Sequence, residues 1–187
     1  GTNGLAFDNM WIGERNKLTL IEHFTNSSDI NSRQADAQLD ALANSNSLDI
    51  IDIQYHTSFP GMDPFNEENK VDPRTRASLY GVSAVPLSIV NGGISNNFIF
   101  DYDDDLLDTT LIKIQSLLDP EFSLGLDAQW LDNMLNIKVT ITPLRKKTGH
   151  QITLHIAVIE RIISGVTGLN GDTLFESVLK TMLEDAS

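Results

Sequence analysis

Cysteine is absent from the 187 residues. That absence removes disulfides, thiolate nucleophiles, thiolate metal sites and thiol–disulfide exchange from this chain. Any chemistry it performs falls to oxygen and imidazole. Long hydrophobic runs are missing too: the apolar stretches are a few residues each, far below the roughly 20 that a membrane-crossing helix needs. No basic-then-apolar leader opens the chain. Basic residues are scarce, 13 against 26 acids, for a formal charge of -13. Such a field repels phosphate backbones and anionic lipid, so nucleic acid is not an expected partner. Glycine motifs that cradle nucleotides are lacking as well, and no cofactor is expected. The chain opens on "GTNG" without Met and stops at "LEDAS", so we expect a mature or excised fragment of a longer protein.

What is present is enough for a folded core, since 41% of the residues are hydrophobic, an ordinary share for a globular chain. Residues 17–25 (KLTLIEHFT) alternate with strand formers throughout and read as a first strand. A polar turn follows, and then Ala35, Leu39 and Leu42 recur at helical spacing, with Asp36 and Asp40 expected to face away. Asp29 or Asn31 is suited to cap this helix. Residues 48–56 (LDIIDIQYH) read as a second strand. The stretch "TSFPGMDPFNEENKVDP" reads as a loop too polar for regular structure, and Pro73 opens a short helix to Tyr80. A third strand starts at Pro86 and ends at the hairpin signal Asn91-Gly92; "NNFIFDY" answers it antiparallel. Asp103 to Asp105 are expected to cap a helix with Leu107, Leu111, Ile114 and Leu118 on one face.

Beyond Pro120 the period becomes two. Residues 122–126, 135–141 and 152–158 read as three antiparallel strands joined by "LDNM" and "PLRKKTGH". Phe175, Val178, Leu179 and Met182 then keep helical spacing to the end. These patterns predict an α/β fold, a mixed sheet flanked by helices over residues 5–119, and then a small antiparallel β-rich domain with a C-terminal helix over 120–187. That second unit is expected to leave an open strand edge that missing residues or another chain would pair.

The stretch from Glu22 to Ala35, "E-H-F-T-N-S-S-D-I-N-S-R-Q-A", resembles the motif "E-x-F-T-G-x-x-C-x-x-C-P-x-A" of the thioredoxin-like family of Bacteroides-type envelope proteins named after outer membrane protein 28. Glu22, Phe24, Thr25 and Ala35 match. Asn26 stands at the Gly, Asp29 and Ser32 at the two cysteines, and Arg33 at the Pro. Tyr55-His56, "YGVSAVP" ending at Pro86, "IVNG" at 89–92 and "AVIERII" with the following "NGDTLFESVLKTMLEDA" also fit. The resemblance implies a thioredoxin-like fold, a cis Pro86 facing the turn, and an extracytoplasmic place in the cell envelope or outside it. The pair itself is gone. A redox thiol must be a thiolate at the helix start with a second thiol to resolve it, and Asp29 and Ser32 can do neither. We expect no catalytic residues and no enzyme activity. The expectation is a redox-inactive module that binds a protein or extended peptide through the surface around Asp29, Ser32, Val85 and Pro86, or that serves a structural role.

Three sharper readings compete with this one. His23 and His56 end neighbouring strands and could meet at Asp29 to bind zinc or iron or to support a thiol-free catalytic site, although no HxxxH-type pair preorganises them; buried, hydrogen-bonded histidines are commoner. Ser27, Ser28 or Ser32 could act as nucleophile with His23 or His56 as base and Asp29 or Asp52 as orienter, but the strained G-x-S-x-G elbow is absent. Asp101 to Asp105 invite calcium without the glycine and glutamate offsets of an EF-hand; capping and solvated charge are the expected role. His150 and His155 look unrelated to any site.

Overall fold

Strands β1 (Thr19–Thr25) and β2 (Ile50–His56) lie parallel, Thr19 opposite Ile50 and Thr25 opposite His56. A parallel pair needs a crossover, which helix α1 (Ile30–Ser45) supplies. The computed structural model describes residues 17–103, 107–145 and 152–183. After β2 come α2 (Pro64–Glu68), α3 (Val71–Tyr80), β3 (Leu87–Val90), β4 (Ile99–Phe100) and α4 (Thr109–Gln115). The chain continues through β5 (Phe122–Leu131), β6 (Met134–Pro143), β7 (Ile156–Ser164) and β8 (Leu174–Leu183). The six-stranded sheet has the order β4-β3-β1-β2-β8-β7, and β5-β6 form a separate two-stranded sheet. β3 is antiparallel to β1, and the Val85-Pro86 peptide is cis, as is Phe59-Pro60. The order β4-β3-β1-β2 with helices on both faces is that of a thioredoxin-like fold, as expected. Among the described residues no helix is long and apolar enough to cross a membrane.

Both faces of β1 are covered. Ile21 packs under α1 and α4 with Leu39, Leu42, Ile50, Val90, Phe100 and Ile112. On the opposite face Phe24 stacks on Tyr55, ring centroids 5.1 Å apart, in a cluster with Ala77, Ile89 and Leu179. Glu22, 1% exposed, is held there by Arg76 Nε at 2.5 Å, Tyr80 Oη at 2.5 Å and Tyr55 Oη at 3.1 Å. A buried carboxylate is tolerable only when it is paired and hydrogen-bonded in this way.

Several expectations need correction. The polar segment after β2 contains α2, because Asp63 accepts from the Phe65 and Asn66 amides and Pro64 sits in the first turn, where a missing N–H costs nothing. Helix α4 starts later than expected: Asp108 caps it by accepting from Thr110 and Leu111 at 2.9 Å. Asp104 and Asp105 lie outside the described residues, and Asp101 accepts from the Asp103 amide.

The C-terminal helix is a strand. β8 inserts between β2 and β7, Gln54 opposite Val178 and Ile163 opposite Phe175. Its apolar residues divide between two clusters: Phe175 and Val178 pack with Phe65, while Leu179 and Met182 join Phe24 and Tyr55. Ser177 has φ +51°, and the ladder to β7 shifts register between Val158 and Ile159. A strand buried on both sides and interrupted this way loses its period-two signature. The three strands expected after Pro120 are therefore not one sheet. β5 and β6 pair only with each other, and β7 with β8 extends the main sheet, so the sheet runs across the expected boundary at residue 120.

Candidate functional site

The turn between β1 and α1 is built from side chains that replace missing backbone partners. Asn26, fully buried, donates its amide to the carbonyls of Thr57 at 2.8 Å and Gly61 at 2.9 Å. Its carbonyl oxygen accepts from the Ser28 amide at 2.8 Å and the Ser28 hydroxyl at 2.5 Å. The Ser27 amide donates to Asp63 Oδ2 at 2.6 Å. Asp29 is the cap of α1 and accepts from the Ser32 amide at 2.7 Å. Ser32, wholly buried, turns its hydroxyl to the Asn26 amide. Four orphan amides at a helix start need such partners.

A second loop closes over this turn from the far end of the chain. Asn170 donates its backbone amide to Ser27 O at 2.9 Å and its side-chain amide to Asp29 O at 3.1 Å. Arg33 reaches back to Asn170 O at 3.3 Å and pairs with Asp172 at 3.0 Å. Gly168 is required here: a Cβ would stand 2.8 Å from Ser27 O. Of the four residues expected to form a binding face, Asp29 and Val85 are half-buried, while Ser32 and Pro86 are buried. Val85 packs on the Phe24 and Tyr55 cluster. The face is thus narrower than expected, and Ser32 is interior.

Beneath the turn lie two histidine pairs. His23 Nε2 donates to Asp36 Oδ1 at 2.7 Å, and Thr25 Oγ1 donates to both oxygens of the same carboxylate at 2.8 and 2.9 Å. The other ring nitrogen bonds Ser88 Oγ, which meets Tyr102 Oη, each at 2.8 Å. Burial raises the Tyr102 hydroxyl above its ordinary range despite the bond from Ser88. Asp36 therefore faces inward, contrary to expectation, because His23 and Thr25 offer it donors that solvent would otherwise supply. His56 Nδ1 donates to Asp63 Oδ2 at 2.8 Å. Burial pushes the Asp63 carboxyl up, but the bond and charge of His56 and the amides of Ser27 and Asn66 outweigh it and hold it below the usual carboxylate range.

These pairs separate what the metal and triad readings need together. His23 is committed to Asp36 and His56 to Asp63, while Asp29 caps the helix, so the three do not converge. Among the described residues no cluster of three potential ligands forms a metal site. Ser27 Oγ and His56 Nε2 are both buried without a partner among the described residues, and Ser28 and Ser32 bond Asn26, so none of the three expected nucleophiles meets a histidine; the serine that does is Ser88, on the buried His23 ring. Asp52 orients neither ring; burial raises its carboxyl, opposed by Ser177.

Sequence reasoning missed Asp63, Asn26, Asp36 and Asn170, which do most of the work at the turn. Asp63 was legible as an acid immediately before Pro64, a helix-start signature. The contact from Asn170, 141 residues beyond Asp29, has no local signal.

No family model and no curated protein matches the chain. Among solved structures it is similar to HBP35 of Porphyromonas gingivalis, with a TM-score of 0.67 at 13% identity over 93% of this chain. It is also similar to protein AGR_C_4864 from Agrobacterium tumefaciens, with a TM-score of 0.53 at 14% identity, covering 91% of this chain and 73% of that one. The chain spans 59% of the length of HBP35. At such identities the likeness is one of fold.

Proposed function

We propose that this chain is a non-catalytic, redox-inactive thioredoxin-fold module of a secreted or cell-envelope protein, related to the outer membrane protein 28 group, that acts by binding a protein or extended peptide. The observation that carries the reading is the use made of the two motif positions. Asp29 is a helix cap and Ser32 an interior hydroxyl, and Asn170 seals the backbone carbonyls of Ser27 and Asp29. A surface built for thiol exchange would keep this turn open to its substrate. The compartment comes from the motif resemblance, and the fold shared with HBP35 is compatible with it.

The accessible remnant of the face is Asp29 and Val85, and the backbone next to Pro86, ahead of β3, is where an extended peptide would pair as an added strand. Titrating the labelled protein with a panel of extended peptides and mapping amide shifts tests this directly. Shifts centred on Asp29, Val85 and Leu87, abolished by Val85→Arg, are the expected result. Shifts elsewhere, or none across the panel, would leave the structural role as the surviving reading.

A further inference from the structure

Strands β5 and β6 form an amphipathic ribbon. Their register sets Phe122 opposite Pro143, Leu124 opposite Ile141, Leu126 opposite Val139, Ala128 opposite Ile137 and Trp130 opposite Leu135. Paired residues share a face, so these ten side chains, none charged, make one continuous apolar surface. The reverse face carries Ser123 with Thr142, Gly125 with Thr140, Asp127 with Lys138 and Gln129 with Asn136. Among the described residues the two strands pack on each other and barely touch the rest. Leu124, Leu126 and Trp130 are 67%, 72% and 73% exposed. An isolated two-stranded ribbon is marginal in water, and an uncovered apolar patch of this kind marks an interaction site.

We infer that this face is the contact between two copies of the chain, packed ribbon on ribbon with the strands reversed. Three observations favour a second copy. The first is self-complementarity: reversal about the centre lays Leu126 and Val139 on their own copies, Leu124 over the small Ala128, Phe122 over Trp130 and Ile141 over Ile137, so every apolar side chain of the face meets an apolar one. The second is charge. Residues 122–143 hold two acids against one base, while the whole chain carries -13. Reversal sets the two acidic bodies at opposite ends of a ribbon roughly 34 Å long, several times the ~8 Å screening length at physiological salt. The third is area: two faces roughly 34 by 10 Å cover about 700 Å² together. That lies far below the roughly 2,000 Å² and more of a permanent dimer and fits only a weak, reversible one. The inference is independent of the peptide-binding reading.

Sedimentation of the full chain across micromolar to millimolar concentration is the test. The expected result is a mass rising from one copy towards two, strengthened by salt, lost in Leu126→Asp and kept in Thr140→Asp on the polar face. A mass of one copy throughout would overturn the inference. So would open-ended assembly indifferent to Leu126→Asp, which indicates edge pairing, and so would a single-copy protein that floats with phosphatidylcholine vesicles. The cysteine-free chain also permits a clean geometric test. A bis-maleimide about as long as the ~10 Å between packed sheets should join Leu126→Cys to itself, and Trp130→Cys to Phe122→Cys in a mixture. Efficient joining of Trp130→Cys to itself would overturn the reversed arrangement.

Discussion

Asp36, Asp40 and Asp63 show how differently buried acids can be used within one face of a sheet. Asp63 accepts from His56 and from three backbone amides, and its lowered pKa means stability present at neutral pH and lost as pH falls through the carboxylate range. Asp40 is the opposite case. Burial, then the charges of Glu176, Asp36 and Asp52, push it up to about 8 against a single bond from Gln54. An acid raised on folding gives stability that is fully present below its unfolded pKa and is lost as pH rises towards the folded value. Asp40→Asn should therefore leave stability unchanged near pH 4 and raise it at pH 8. We expect about 2 kcal/mol there once partial exposure is discounted, read from urea melts at both pH values. Asn170→Ala removes the donor to Asp29 O and the acceptor of the Asp172 amide. It should cost about 1–2 kcal/mol and speed exchange of the Ser27 and Asp29 amides.

Among the elements, those with a regular period were legible, even β1 with both faces covered, and the irregular last strand was not. β1, β2, α1 and the β5-β6 ribbon each show their period in the sequence. The ribbon's turn has Asp132 and Asn133 both at positive φ, as a two-residue hairpin requires. β8 was misread because Phe175, Val178, Leu179 and Met182 imitate a helical stripe. Their spacing reflects a strand with apolar contacts on both sides and an irregular ladder. α1 was placed correctly but its polar inner residues were not, since hydrophobic periodicity cannot register a carboxylate drawn inward by a histidine. Phe175 packs edge-on to Phe65, centroids 4.7 Å apart, and against His56 at 6.0 Å. Phe175→Ala should cost about 3–4 kcal/mol in denaturant unfolding, as expected for a core strand and far above the cost of an exposed C-terminal helix position.

For the whole molecule, the ribbon is an appendage and the last strand is a centrepiece. Leu144 donates to Glu121 O at 2.9 Å, so the ribbon's ends already meet, and residues 122–143 can be replaced by a short Gly-Ser bridge. The shortened chain should unfold within about 1 kcal/mol of the native one and stay single-copy in sedimentation. Losing β8 would be far graver, because it joins β2 to β7, accepts from Asn69 at Lys180 O and donates its Met182 amide to Asp72. The sheet is consequently completed out of order in time. β2 is made early but its outer neighbour is encoded some 120 residues later, an interval of roughly 10 s at ordinary synthesis rates. Throughout that interval the nascent chain carries the bare outer edge of β2, which is covered only once β8 has emerged.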